Sequence, residues 1–274
     1  MRIHFLIFFT LFTSLFLQAA QFAYPVGARS GALGSTSVTH SDVWSVFNNQ
    51  AGLAFVKNIS AGVNYENRFL MSELNLRSVA VALPFKGTTT FGISASSFGY
   101  HLYSENKYGL AIAKAFGEKI SAGVQVDYLK TQIAEGYSNK GIMTVEMGFM
   151  LKPMKDFVLA AHVFNPVRSR LNSYNDERVV TIMKIGASYL FSEKVLLAVE
   201  VNNSTDEQPQ FRTGLEYFIL KSLFLRIGIG TNPSSISFGA GLNLKQFKID
   251  LSSSYHQVLG YTPQIAVIYV PKHE

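Results

Sequence analysis

From about residue 59 to its C-terminus the chain alternates between apolar side chains and small or polar ones. In the run from Ile120 to Tyr128, the residues Ile120, Ala122, Val124, Val126 and Tyr128 share one phase, and Ser121, Gly123, Gln125 and Asp127 the other. Leu223, Leu225, Ile227 and Ile229 alternate in the same way with Phe224, Arg226, Gly228 and Gly230. A period of two belongs to a strand with unlike faces. On a helix the same apolar residues would point all round the axis. The pattern predicts fourteen strands, at 59–65, 74–85, 89–100, 106–116, 119–131, 142–152, 157–164, 180–191, 195–203, 210–219, 223–231, 235–244, 246–255 and 263–270. A strand of ~10 residues tilted by ~45° covers about 23 Å, close to the ~25 Å apolar band of a membrane barrel.

Charge decides which face meets lipid. On the apolar phase, charged residues such as Arg77, Lys114 and Lys130 fall near strand ends, where a long side chain reaches the headgroups. On the other phase they fall in mid-strand: Asp127, Glu146, Glu200, Arg212, Glu216, Arg226 and Asp250. The apolar phase therefore faces outward. The predicted fold is all-β, a transmembrane antiparallel up-and-down barrel over 58–271 with a short N-terminal helical plug. The connections read as alternately short (85–87, 117–119, 153–156, 192–194, 221–222, 245–246) and long (66–73, 100–106, 132–141, 165–178, 204–209, 231–235, 256–262). Bacterial barrels keep short turns in the periplasm. The expected location is thus the outer membrane of a Gram-negative cell, embedded in its lipid, with both chain termini periplasmic.

Composition agrees. The chain is 48% hydrophobic with a mean hydropathy of +0.17, yet only 15% charged, below the usual ~25%. With no cysteine there is no disulfide framework. A formal charge of +6 without a basic, aromatic-interleaved stripe excludes nucleic acid as the expected partner.

The first twenty residues place Arg2 ahead of an apolar run from Phe5 to Leu17 and then the pair Ala19-Ala20. That is the layout of a secretory leader over 1–20, cut after Ala19 or Ala20. The segment 21–57 does not alternate. Ser41-Asp42 predicts a helix N-cap ahead of Val43, Trp44, Val46 and Phe47, and a segment of this length can fold into a barrel as a hatch.

Two stretches of that segment carry a resemblance. Ala28-Arg29-Ser30-Gly31-Ala32-Leu33-Gly34, followed by Ser41-Asp42-Val43-Trp44-Ser45-Val46-Phe47-Asn48-Asn49-Gln50-Ala51-Gly52-Leu53-Ala54, resembles the start of the PorV/PorQ family of FadL-like outer-membrane proteins. Gln50 stands where that family usually has proline. The resemblance implies a fourteen-strand barrel whose hatch residues include Arg29, Gly34, Asp42, Trp44, Phe47, Asn48, Asn49 and Gly52. It implies a non-enzymatic role in type IX protein secretion, with secretion-system proteins or cargo as partners. The alternative it implies is a FadL-like channel for a hydrophobic ligand.

A hydrolase is the remote alternative. His40, His101, His162 and His256 form no zinc-binding spacing, and no Gly-x-Ser-x-Gly elbow occurs. His101 and His256 read as loop histidines and His162 as a hydrogen-bonded interior one. No cofactor, metal or catalytic residue is expected. Glu200, Arg212, Glu216 and Arg226, on three consecutive strands, read as a polar network filling the lumen. Each short turn also carries a lysine: Lys86, Lys119, Lys155, Lys194, Lys221 and Lys245.

Overall fold

A computed structural model describes residues 22–133, 140–170 and 178–271. The leader expected over 1–20, and parts of the connections read at 132–141 and 165–178, lie outside them. Fourteen strands close into one antiparallel ring in which each strand pairs with its sequence neighbours and β1 pairs with β14. They are β1 (Ser60–Asn67), β2 (Asn75–Phe85), β3 (Thr89–Gly99), β4 (Tyr103–Phe116), β5 (Ile120–Ile133), β6 (Lys140–Met154) and β7 (Phe157–Phe164). There follow β8 (Ile182–Phe191), β9 (Val195–Ser204), β10 (Gln210–Leu220), β11 (Leu223–Gly230), β12 (Ser235–Leu244), β13 (Phe247–His256) and β14 (Gly260–Tyr269). Closure leaves no strand edge with unpaired backbone, which hydrocarbon would not tolerate. No described helix is long and apolar enough to cross a membrane.

An even strand number puts the start of β1 and the end of β14 at one rim, here the terminal rim; the opposite end is the far rim. The alternation read from sequence sorts the faces as predicted. Leu110 and Ile227 are 68% and 53% exposed on the outer face, while Asp127, Glu146 and Glu216 are buried inside. Outward aromatic pairs edge both rims. Phe247 and Tyr269 lie 5.1 Å apart at the terminal rim, and Tyr255 and Tyr261 4.9 Å apart at the far rim. Such girdles mark the two interfaces of a membrane barrel.

Two connections differ from the sequence reading. β4 begins at Tyr103 and β14 at Gly260, so the links 100–102 and 257–259 are as short as the turns of the opposite rim. Pairing continues past the apolar belt there: Tyr100 N–H donates to the Tyr103 carbonyl at 2.8 Å, and Tyr255 is registered against Tyr261. Polar residues in these stretches resemble loop residues only because they lie beyond the lipid.

Candidate functional site: a filled lumen

The segment 22–57 runs inside the ring from one mouth to the other. Phe22 packs with Leu129, Phe164 and Ile182 toward the far rim. Phe22 thus lies near the far rim, whereas β14 ends at the terminal rim. Tyr24 Oη donates to Glu105 at 3.0 Å, and the Arg68 guanidinium stacks 4.2 Å over the tyrosine ring. Two short helices follow, α1 (Ala28–Ala32) and α2 (Ser45–Asn48), then a 3-10 helix (Gln50–Phe55) that leads to β1 at the terminal rim. The helix predicted from Ser41-Asp42 starts later, at Ser45. Asp42 Oδ1 accepts instead from Trp44 N–H at 2.9 Å, so it stabilises the turn before the helix.

Three wall glutamates grip this segment. Glu216 on β10 takes both Arg29 Nε and Nη2 at 2.9 Å, the paired geometry that makes arginine–carboxylate contacts strong. Glu200 on β9 accepts the successive backbone N–H groups of Ser37 and Val38 at 2.7 and 2.9 Å. Glu146 on β6 accepts Gln50 Nε2 at 2.6 Å. Each glutamate is held in turn by the wall. Arg226 bridges Glu216 and Asp250, at 2.5 Å to each, and Arg212 lies 3.6 Å from Glu200. Lys107 and His162 both meet Glu146, and Lys107 Nζ lies 3.8 Å from Asp127. Paired and hydrogen-bonded in this way, the charges tolerate burial.

Where the segment touches the wall between these anchors, the wall is stripped to backbone. Inward glycines Gly62, Gly92, Gly123, Gly148, Gly214 and Gly228 lie against it on separate strands. At Gly214 an added Cβ would stand 2.6 Å from Leu33, and at Gly62 it would stand 2.8 Å from the Trp44 ring. Wall alanines Ala80, Ala82, Ala111, Ala113 and Ala266 complete the cluster around Val43, Trp44, Val46, Phe47 and Leu53.

The other residues singled out from sequence serve the same packing. Asn48 exchanges two hydrogen bonds with the Val26 backbone, 3.1 Å as acceptor and 2.8 Å as donor. Asn49 Nδ2 donates to the Val38 carbonyl at 2.7 Å. Gly34, at φ 68°, donates its N–H to Ser237 Oγ at 3.0 Å, and Gly52 lies against the His40 carbonyl. Glu200, Arg212, Glu216 and Arg226 form two pairs, completed by plug residues that strand phase does not reveal. Lys107, Glu146, His162 and Gln50 were outside the predicted site. Their signal was faint: an inward charge on β6, and a glutamine in the place of a proline that could not donate to it.

Burial, aided by the nearby Arg29 charge, pushes His40 down to about 3, and its Nε2 has no partner among the described residues. It is therefore neutral. Burial likewise pushes the Asp42 carboxyl up, against the pull of Arg29 at 3.9 Å.

Two mouths remain. At the far rim a polar vestibule of about 280 Å³, lined by Glu66, Arg68, Gln210, Arg212 and His256, has Gly34 and Ser35 as its floor. At the terminal rim a cavity of about 680 Å³ lies beside the end of the 3-10 helix. An apolar groove of about 450 Å³ crosses the outer wall over β7 to β11, lined by Leu159, Ile185, Val199 and Phe211 and reaching Glu200 and Arg212.

Solved structures share this architecture. The chain superposes on "CymD monoaromatic hydrocarbon channel" with a TM-score of 0.71 at 12% identity, covering 93% of this chain and 100% of that one. For "TodX monoaromatic hydrocarbon channel deltaS2 mutant" the TM-score is 0.74 at 11% identity, covering 92% and 100%. The fold is that of the FadL-type barrels. A Pseudomonas aeruginosa FadL homologue gives 0.66 at 12% identity, covering 92% and 100%. No protein-family model matches the chain, and no curated protein matches it significantly.

Proposed function

We propose that this protein is a non-enzymatic outer-membrane channel for hydrophobic small molecules, with a lumen closed by residues 22–57. The observation that carries the reading is a FadL-type barrel whose interior is occupied by its own N-terminal segment, held by Glu146, Glu200 and Glu216. The hydrocarbon channels of similar fold support the ligand class, as does the apolar wall groove that reaches the plug anchors Glu200 and Arg212. In this reading the terminal rim faces the periplasm and the far rim the outside. The type IX secretion role rests on the motif from Arg29 to Ala54, but Arg29 and Trp44 face the wall, and Asn48 and Asn49 bond to the plug's own backbone at Val26 and Val38. As for a hydrolase, His256 Nδ1 is taken up at 3.2 Å by the backbone of its own turn.

Deleting 27–46 tests the channel. The deletion barrel in a planar bilayer is expected to conduct far more than the intact chain and to admit toluene faster into cells. Unchanged conductance and uptake would overturn the proposal. Recovery of the intact chain with an envelope protein in detergent pull-downs would favour the secretion role instead.

A further inference from the structure

The terminal-rim cavity differs from the rest of the lumen. Its walls are Ala54, Phe55 and Val56 from the plug and Pro84 and Ala115 from the barrel, and its cations are Lys57 and Lys152. Lys152 is not one of the turn lysines. It follows Met150 on the inward phase of β6, with its Nζ 3.3 Å from the centroid of the Phe55 ring. Lys57 is exposed at the lip. The two are near enough to repel one another. Among the described residues neither forms an ion pair, whereas Arg29, Lys107 and Arg226 each meet a carboxylate. Among the described residues the one acid lining the cavity is Glu118, exposed on its turn.

An ammonium over an aromatic face uses one side of its charge and keeps donors free for a second partner. Lys152 over Phe55 and the exposed Lys57, beside apolar walls and in a volume within the ~300–1,000 Å³ range of small-molecule sites, define a ligand with a charged end and an apolar body. We propose that this cavity binds an anionic amphiphile, its carboxylate or phosphate head between Lys57 and Lys152 and its body on Phe55, Pro84 and Ala115. The anion removes the repulsion between the lysines and gains charge-assisted hydrogen bonds. Two sources offer this chemistry, a free hydrophobic acid and the headgroup of an acidic lipid at the rim. The site stands whether or not the lumen conducts, since it lies on the rim side of the plug.

The test is titration calorimetry on the intact chain in a neutral detergent, with decanoate, decyl phosphate, decanol and inorganic phosphate as probes. Decanoate and decyl phosphate are expected to bind at one site, with decanol and inorganic phosphate at least about tenfold weaker. Lys152→Gln is expected to weaken decanoate binding about tenfold and Lys57→Gln severalfold, with lipid-facing Lys114→Gln unchanged. Decanol binding as well as decanoate, inorganic phosphate binding as well as decyl phosphate, or indifference to both lysine substitutions would overturn the proposal. Lys57 is exposed, so its variant carries the test if Lys152→Gln does not fold. Nanodiscs separate the sources. Loss of decanoate binding in phosphatidylglycerol but not phosphatidylcholine assigns the site to lipid, and equal binding in both assigns it to a free acid. Either result supports the shared chemistry, and neither depends on the conductance of the deletion barrel.

Discussion

Glu216 joins two arginines that lie far apart in the chain: Arg29 in the plug, 187 residues away, and Arg226 on the next strand. Strand phase makes the second pairing legible, because both residues face inward on adjacent strands and are registered directly opposite. Nothing local points to the first. Removing one partner of a buried pair costs about 3–5 kcal/mol because the other charge stays buried. Glu216→Gln is therefore expected to loosen the plug and raise single-channel conductance while the barrel stays folded; conductance equal to wild type would show that the contact does not restrain the segment. His40 gives a pH test. Its folded value of about 3 lies below the ordinary 6.5, so a released segment binds a proton that the packed one does not. The stability it contributes is complete above pH 6.5 and falls as the pH drops toward 3, by at most ~1.4 kcal/mol per unit. Melts of wild type and His40→Gln across that window should diverge, the variant being less acid-sensitive, and parallel curves would contradict the assignment.

The plug and the wall are matched at the level of elements. Strand segments were legible to within a few residues because lipid on one side and a polar lumen on the other impose a strict period of two. The interior phase of β10 and β11 shows more than polarity: Gly214 and Gly228 stand where a side chain would enter the backbone of Leu33 and Gly34. In sequence these glycines read only as small lumen residues, and their purpose appears when the facing segment is in place. Gly228→Val is expected to expel or displace the plug, making 27–46 a target for protease in folded barrels, whereas Ile227→Val on the lipid face leaves it protected. Equal protection in both would mean that close packing is not what seats the segment.

The whole molecule is a ring with apolar residues outside and charges inside. Its stability therefore depends on what surrounds it. The chain without its first twenty residues is expected to refold into neutral detergent with heat-modifiable mobility on gels and to aggregate in plain buffer. A folded monomer in buffer alone would contradict a lipid-facing exterior such as Leu110 and Ile227 present.

Sequence alone determined the strand number, the side of each strand that meets lipid and the place where the barrel begins, because alternation is a local property written at every second residue. Only the tertiary structure decided that 22–57 fills the lumen, that Glu146, Glu200 and Glu216 hold it, and that Phe22 lies at the far rim. Those contacts join residues with no fixed spacing along the chain. They arise from ring closure, which brings distant strands around one axis and leaves a lumen whose shape no single strand encodes.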